Sequence, residues 1–585
     1  MKTLSESLKY TPVQPGFGTS GVRALVDDLT DLEVYCLTLG TLRYFEKKQL
    51  ITNQHNLSKD LIQIPLACDL RPSSPRITCA SIKAIQDCGY SAEYLGQIPT
   101  PALTCYAMHK QLASFMITGS HIPLDRNGQK ANRFDGEVMK SDEQGIVAEV
   151  NTTRETILSG FAKESVFDAY GMLKPDHNQP LPPPSSAAEE YYRQRYADVF
   201  PEDSLSGLRI VFFEYSAVGR DCLPLILRNA GAEVICMGRS DEFFPIDTEA
   251  ISDQHLHDLA KIVQQARDQY GKIDALVSTD GDSDRPLVLG VTESTEAATA
   301  ETSASLVHVR FIPGDILGLM VSDYLGVDSI SVPISSSPAI QEFFLDNKIP
   351  VSLTRIGSPH VIASMQKSRN SGYQRIAAWE ANGGFLTGSE LSVNAGQLSA
   401  LPTRDAMLPI ICVLHACVQN KQSLAEMVDD LPAWYGKAGL LDDFPRQASS
   451  TILEALTPSD PEVTTIQFDS DQVILCDNNN KIIVQYPVNC SQAAQLLRSK
   501  QLLESVFCRQ HGFGELLKIN YLDGIRCYFD NDDIAHIRPS GNAPQLRIYA
   551  CARTRKRVDE IVALGIEEPA GLLTQLAERT KQHTQ

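Results

Sequence analysis

Short apolar runs alternate along this chain with longer segments whose apolar residues recur at helical spacing. Leu61–Cys68 is followed by the amphipathic stretch Ile77–Gly89, and Leu208–Tyr215 by Gly219–Cys236. Ile273–Asp280 is another such apolar run. A helix running into Gly231 just before the strand Ala232–Cys236 is a normal α/β junction, because glycine closes a helix cheaply. Repeated strand–helix–strand units predict parallel sheets covered by helices, with ligands beyond the C-terminal ends of the strands.

Breaks in this texture divide the chain. Asp176 to Glu190 is rich in proline, serine and acids and reads as a stiff, solvated linker. Residues 285 to 305 hold a second polar stretch, read as an extended surface loop without chemistry. A third shift lies near 435 to 462, and the charged tail after about 555 is helical in pattern and partly free. With 585 residues, three or four domains are expected.

Composition narrows the partners. Lys and Arg total 52 against 72 Asp and Glu, a net charge of −20. That balance excludes a nucleic-acid-binding surface and docking on anionic lipid, so a phosphorylated ligand needs a locally basic pocket. The opening segment has no apolar run for a signal peptide, and no stretch is long and apolar enough to span a membrane. The 14 cysteines form no CxxC pair, which predicts reduced, mostly buried thiols in a cytoplasmic protein, with a zinc site as the lesser alternative.

Four loops offer chemistry. The strand Ser114–Ile117 runs into Thr118-Gly119-Ser120-His121, which presents a serine hydroxyl at a strand end, and Lys130 follows a turn at Asp125–Gly128 that could fold it back. A serine after glycine is also a common structural turn. Asp280, Asp282 and Asp284 follow the strand Ile273–Thr279; carboxylates at alternate positions can converge on a hard divalent cation, or form a solvated acidic turn. An EF-hand is excluded, since no acid sits at its twelfth position and a strand precedes the loop. Glu380 and Asn382 follow the strand Gln374–Trp379 and could hold two sugar hydroxyls, or make an Asn-Gly turn. Arg538, Ser540, Gly541 and Asn542, with Arg547 in the next strand, offer the donors that suit a phosphate monoester, or a structural turn. Together they are the parts for phosphoryl transfer to and from a sugar.

These segments, in this order, resemble the α-D-phosphohexomutase family. Phe17–Arg23, Asp69–Ser74 and Gly96–Pro101 also look like that family's motifs, so the resemblance spans roughly residues 15 to 550. It implies four domains around a cleft: three similar α/β domains with mixed sheets and a fourth, different α+β domain. The breaks place them at 1–180, 186–300, 306–430 and 440–585. It also implies a phosphoserine at Ser120, with Mg2+ held by Asp280, Asp282, Asp284 and the Ser120 phosphate. Arg23, Lys130 and His121 fall near the reacting phosphate, with Arg285 and Gly357 as substrate contacts. Glu380 and Asn382 would read sugar hydroxyls, and Arg538, Ser540, Gly541, Asn542 and Arg547 would grip the other phosphate. The implied reaction interconverts hexose 1-phosphate and hexose 6-phosphate through a bisphosphosugar, with glucose 1,6-bisphosphate or its equivalent as activator. Mannose is the expected sugar, with glucose and glucosamine as alternatives, in a monomer or homodimer. A phosphatase using the same serine and a silent sugar-phosphate-binding protein are the competing readings.

This sequence departs from the common motifs. Gly119 and Ile122 replace Ala and Asn in Thr-Ala-Ser-His-Asn-Pro, and Ser283 stands where glycine is usual. The sugar loop departs further from Gly-Glu-x-Ser-Gly-His: Trp379 precedes Glu380, Asn382 takes the Ser position and Gly384 the His position. Asn542 and Ala543 stand where Thr and Glu are common. His360 lies in a segment expected to contact substrate, as a base or as an ordinary packed histidine.

Overall fold

Strands and helices alternate along most of the chain in a computed structural model that describes residues 2–18, 21–54, 57–249, 251–293, 307–394, 396–539 and 544–584. The chain divides into two compact units, Met1–Ile330 with Gly357–Val428, and Ser331–Ile356 with Asp429–Gln585.

The first unit is built on mixed sheets. One runs in the order Gly16–Phe17, Val22–Leu25, Arg126–Arg133, Ser114–Ile117, Gln63–Cys68, Ser91–Gln97, with Gly136–Glu137 added beside Arg126–Arg133. Gln63–Cys68 pairs in parallel with both neighbours, and its side chains from Ile64 to Cys68 are all buried, as a strand covered on two faces requires. Ser114–Ile117 then pairs antiparallel with Arg126–Arg133, setting Met116 opposite Lys130. The fold-back of Lys130 is thus a hairpin around the serine loop.

The helix Ser74–Asp87 buries Ile77, Ala80, Ser81, Ala84 and Ile85, a stripe at helical spacing. The helix Asp31–Lys48 starts at Thr30, whose Oγ1 accepts from the Glu33 amide, and ends with Lys47 and Lys48 beside its last carbonyls.

A second sheet has the order Val307–Phe311, Pro286–Glu293, Ala275–Thr279, Arg209–Phe213, Glu233–Met237. Its last three strands are parallel and the others antiparallel. The polar stretch therefore begins later than its composition suggested. Pro286–Glu293 is a paired strand, with Leu287, Val288 and Leu289 fully buried. Residues 294–305 of that stretch lie outside the described residues. A third set, Ile376–Trp379, Phe385–Thr387 and Leu401–Asp405, pairs antiparallel. Three strands of this unit end directly on the chemical loops, at Thr118, Asp280 and Glu380.

The second unit has an eight-stranded sheet whose neighbours are all antiparallel, which makes it a different, α+β fold. The tail is not free. The helices Arg555–Ile566 and Leu572–Thr584 set Ile561, Leu572, Leu573 and Leu576 into the core of this unit, so their apolar stripe outweighs their charged face. The region near 435 to 462 holds the strand Tyr435–Leu441 and the helix Arg446–Leu456.

No disulfide links the 14 cysteines, and most are buried. No helix among the described residues is long and apolar enough to cross a membrane.

Candidate active site

The serine loop is shaped by one buried guanidinium. Arg71 donates from Nη1 to the carbonyls of Pro123 (2.8 Å) and Arg126 (2.9 Å), and from Nη2 to those of Ser120 (3.0 Å) and Ile122 (2.5 Å). Its other face lies 4.4 Å from the centroid of the Phe243 ring. Asp69 completes the support: its Oδ2 accepts from Thr118 Oγ1 at 2.8 Å and from the Gly119 amide at 3.2 Å. Thr118 Oγ1 in turn accepts from the Ser120 amide at 2.7 Å. Ser120 is fully buried and left-handed, with φ +53°. Such a backbone costs a non-glycine residue ~1–2 kcal/mol, which this network holds in place.

The glycine at 119 now has a reason. A Cβ there would stand 2.6 Å from Arg71 Cζ. Gly119→Ala is expected to destabilise the protein by about 1–3 kcal/mol in urea unfolding, the usual cost of overpacking. An unchanged midpoint would show that Arg71 is not fixed in the loop.

The three aspartates converge, with one oxygen of each within 4.8 Å of the others, and all three are buried. They do so through a tight turn rather than an extended segment: the Ser283 amide donates to the Asp280 carbonyl at 3.1 Å, and Ser283 has φ +57°. Glycine is the cheap residue at that φ. Serine is accommodated because its Oγ lies 2.8 Å from Thr279 Oγ1 and accepts from the Gly219 amide at 2.9 Å. Ser120 Oγ donates to Asp280 Oδ2 at 2.5 Å, so the serine loop and the acidic loop meet. Thr100 ties the same loop to the first sheet, donating to Asp282 from its amide (3.0 Å) and from Oγ1 (2.7 Å).

The charge in this cluster fits a hard cation. Burial, and the charges of Asp282 and Asp284, push the Asp280 carboxyl well above the ordinary carboxylate range. Burial opposes ionisation at Asp284 as well, but Arg404, Lys130 and Arg285 outweigh it and hold that group low. Lys130 Nζ donates to Asp282 Oδ2 (2.6 Å) and Asp284 Oδ2 (2.7 Å). Asp282 Oδ1 and Asp284 Oδ1 are buried without a hydrogen-bond partner among the described residues. Unpartnered carboxylate oxygens beside a serine hydroxyl are the donor set of an oxygen-loving divalent cation.

Arginines and a neutral histidine surround the serine. His121 Nδ1 lies 3.2 Å from Ser120 Oγ, and its Nε2 lies 3.5 Å from Arg285 Nη1. The hydrogen-bond pattern assigns the proton to Nδ1, because Ser120 already donates to Asp280. Burial, then Arg285 and Arg23, push the imidazole far below its ordinary value. Arg285 stands 3.7–3.9 Å from Asp280, Asp284 and Asp247, too far for a direct hydrogen bond. The Arg23 guanidinium has no hydrogen bond among the described residues, and burial beside Arg285 lowers it to about 10. Guanidinium groups without a direct carboxylate hydrogen bond leave donors for an anion.

In the sugar loop, Glu380 Oε2 accepts from Arg404 Nη1 at 2.8 Å, and Asn382 Oδ1 accepts from the Gly384 amide at 3.0 Å. Gly357 caps the helix Ser358–Asn370 with φ +123°, and His360 lies in that helix's first turn. The sequence reading missed Arg404, Arg71 and Thr100 as members of the site. Arg404 carries no motif, whereas Arg71 and Thr100 lie inside quoted motifs whose partners were not foreseen.

The second unit holds a cationic pair of its own. Arg538 and Arg547 face each other directly across neighbouring antiparallel strands, and Arg538 Nε lies 3.1 Å from Asp523 Oδ1. Like charges opposite one another are unfavourable, and the Asp523 carboxylate offsets that of Arg538. Ser540, Gly541 and Asn542, like Thr19 and Ser20, lie outside the described residues.

The family profile described as phosphoglucomutase/phosphomannomutase, alpha/beta/alpha domain I, matches residues 14–156; domain III matches 313–435 and the C-terminal domain 488–564. A phosphomannomutase of Salmonella muenchen is 34% identical, over 93% of this chain and 94% of that protein. One of Sinorhizobium fredii is 33% identical, over 94% and 98%. The open form of parafusin, a phosphoglucomutase from Paramecium, shares the fold with a TM-score of 0.60 at 14% identity, covering 98% of this chain and 96% of that one. The chain belongs to the phosphoglucomutase/phosphomannomutase family of α-D-phosphohexomutases.

Proposed function

We propose that this phosphohexomutase works through a phosphoserine at Ser120 and that its main substrate is a mannose phosphate. The observation that carries the serine is its Oγ, buried and 2.5 Å from Asp280, in an acidic loop that Lys130 and Arg285 also approach. The sugar rests on the two relatives named phosphomannomutase that match nearly the whole chain.

In the forward half-reaction the bond from phosphorus to Ser120 Oγ breaks as one forms to a sugar hydroxyl, whose proton passes to Ser120 Oγ, giving a bisphosphosugar. In the return half the other phosphate passes to Ser120, and the serine proton ends on the freed sugar oxygen. Asp280 Oδ2 already accepts that proton's hydrogen bond. Mg2+ held by Asp280, Asp282, Asp284 and the Ser120 phosphate would neutralise charge on the transferring oxygens. Burial works against a charge on Lys130, yet Asp282 and Asp284 outweigh it and raise its value. Lys130 is therefore an electrostatic partner of the phosphoryl group. Neutral His121 orients the serine oxygen, and Arg23 and Arg285 hold the reacting phosphate.

Glu380 and Asn382 read sugar hydroxyls, with Gly357 at the head of its helix as a further substrate contact. Arg538 and Arg547, with Ser540, Gly541 and Asn542, form the grip for a phosphate monoester. The four domains follow the breaks at 1–180, 186–300, 306–430 and 440–585, and glucose 1,6-bisphosphate loads the serine. The absence of disulfides among its cysteines supports a cytoplasmic location.

A coupled assay with magnesium and a trace of glucose 1,6-bisphosphate tests the sugar. Mannose 1-phosphate is expected to exceed glucose 1-phosphate and glucosamine 1-phosphate in kcat/KM by about 10-fold or more, the discrimination a hydroxyl-reading site achieves. Phosphate release without isomerisation would replace the mutase by a phosphatase. No turnover of any of the three would leave a binding protein.

A further inference from the structure

Arg404 is 2% exposed on the strand Leu401–Asp405 and touches two chemical loops at once. Its Nη1 donates to Glu380 Oε2 at 2.8 Å, while Nη2 (2.8 Å) and Nε (3.1 Å) both donate to Asp284 Oδ2. Among the described residues, Arg404 is the one side chain hydrogen-bonded to Glu380. Its stem also fills a definite volume: a Cβ on Gly384 would lie 2.5 Å from Arg404 Cδ and 2.7 Å from its Cγ. A side chain at 384, where the common motif has histidine, and the Arg404 stem are alternatives for the same space.

The residues on either side of Arg404 are pinned. Thr403 Oγ1 donates to Glu137 Oε1 at 2.7 Å. Asp405 accepts from the hydroxyls of Tyr192 (2.6 Å) and Tyr196, both on the helix Ala187–Ala197, and from the Met407 amide at 2.9 Å. A strand anchored on both sides of a forked donor holds a fixed geometry, as a preorganised site requires.

We propose that Arg404 is a positioning residue for sugar recognition, fixing the Glu380 carboxylate against the acidic loop so that hydroxyl reading and phosphoryl transfer share one frame. This rests on Glu380 being the hydroxyl reader. If Arg404 acts through Glu380, losses at the two positions do not add.

The test is a double-mutant cycle with Arg404→Gln, Glu380→Gln and the pair, in the full-length chain. Binding of mannose 6-phosphate is followed by calorimetry, beside turnover of mannose 1-phosphate and glucose 1-phosphate. Each single variant is expected to weaken binding by about 10- to 100-fold, as expected for a lost charged hydrogen bond, and the pair by no more than about 3-fold beyond the worse single. The preference between the two sugars should also shrink in Arg404→Gln, whereas a purely structural loss would scale both sugars alike. Arg404→Lys, which keeps the charge, replaces Arg404→Gln in the cycle if the latter does not fold.

Losses that multiply, or an unchanged sugar preference, overturn the inference. Non-additive binding without turnover retires the mutase reading and leaves the coupling standing. A wild-type protein that binds no mannose 6-phosphate overturns both.

Discussion

Ser120→Ala is expected to lower kcat by about 10,000-fold or more, because removal of a nucleophile leaves only binding and electrostatics to act. The change deletes a single oxygen, the one that donates to Asp280 at 2.5 Å. The backbone at φ +53° strains alanine no more than serine, so unfolding free energy should move by less than about 2 kcal/mol. The variant should thus be folded and inert. Mass spectrometry after incubation with glucose 1,6-bisphosphate gives the second reading: wild type gains one phosphate, and the variant gains none. A variant that keeps a tenth of the wild-type rate would move the phosphoryl carrier elsewhere.

Asp282→Asn is the second large effect. Asp282 Oδ2 is occupied by Lys130 and Thr100, while Oδ1 is buried and unpartnered, so this carboxylate both holds a lysine and is free to bind a cation. Asparagine keeps the shape and removes the charge. Lys130 retains Asp284 at 2.7 Å, and the mutual repulsion of the aspartates falls, so the metal-free protein should lose little stability. Magnesium is the sensitive readout. At 100 times its Kd a bound ion stabilises wild type by about 2.7 kcal/mol, and that gain in Tm should vanish in the variant. Turnover should fall by about 1,000-fold. An equal magnesium-induced Tm shift in both proteins would remove Asp282 from the ion's ligands.

Much of this site could be read in the letters because its loops are local. Ser120, the aspartates and Glu380 each lie just after a strand whose apolar run is plain, although the carboxylates converge through a turn and not by their alternation. What the letters hide is whatever depends on tertiary packing. Arg404 stands in an unremarked strand and meets Asp284 and Glu380 only after three separate segments fold together. Arg71 looked like part of a motif, but its role as the mould of the serine loop follows from four backbone carbonyls, which no sequence displays. The same blindness concealed the strand Pro286–Glu293, whose polar continuation masked its start, and the packed tail, whose charges outnumber the leucines that bury it.

The link between Thr100 and Asp282, with Ser120 on Asp280, acts as a rivet between two sheets of the first unit. A bisphosphosugar must turn end for end during the cycle, and that movement needs slack. The slack cannot come from parting serine and acidic loop without tearing buried charge-assisted bonds. On the proposed mechanism this wall is the stator of the cycle, against which the sugar turns. Hydrogen exchange should find the amides of Thr100 and Ser120 among the slowest in the first unit, with substrate or without it.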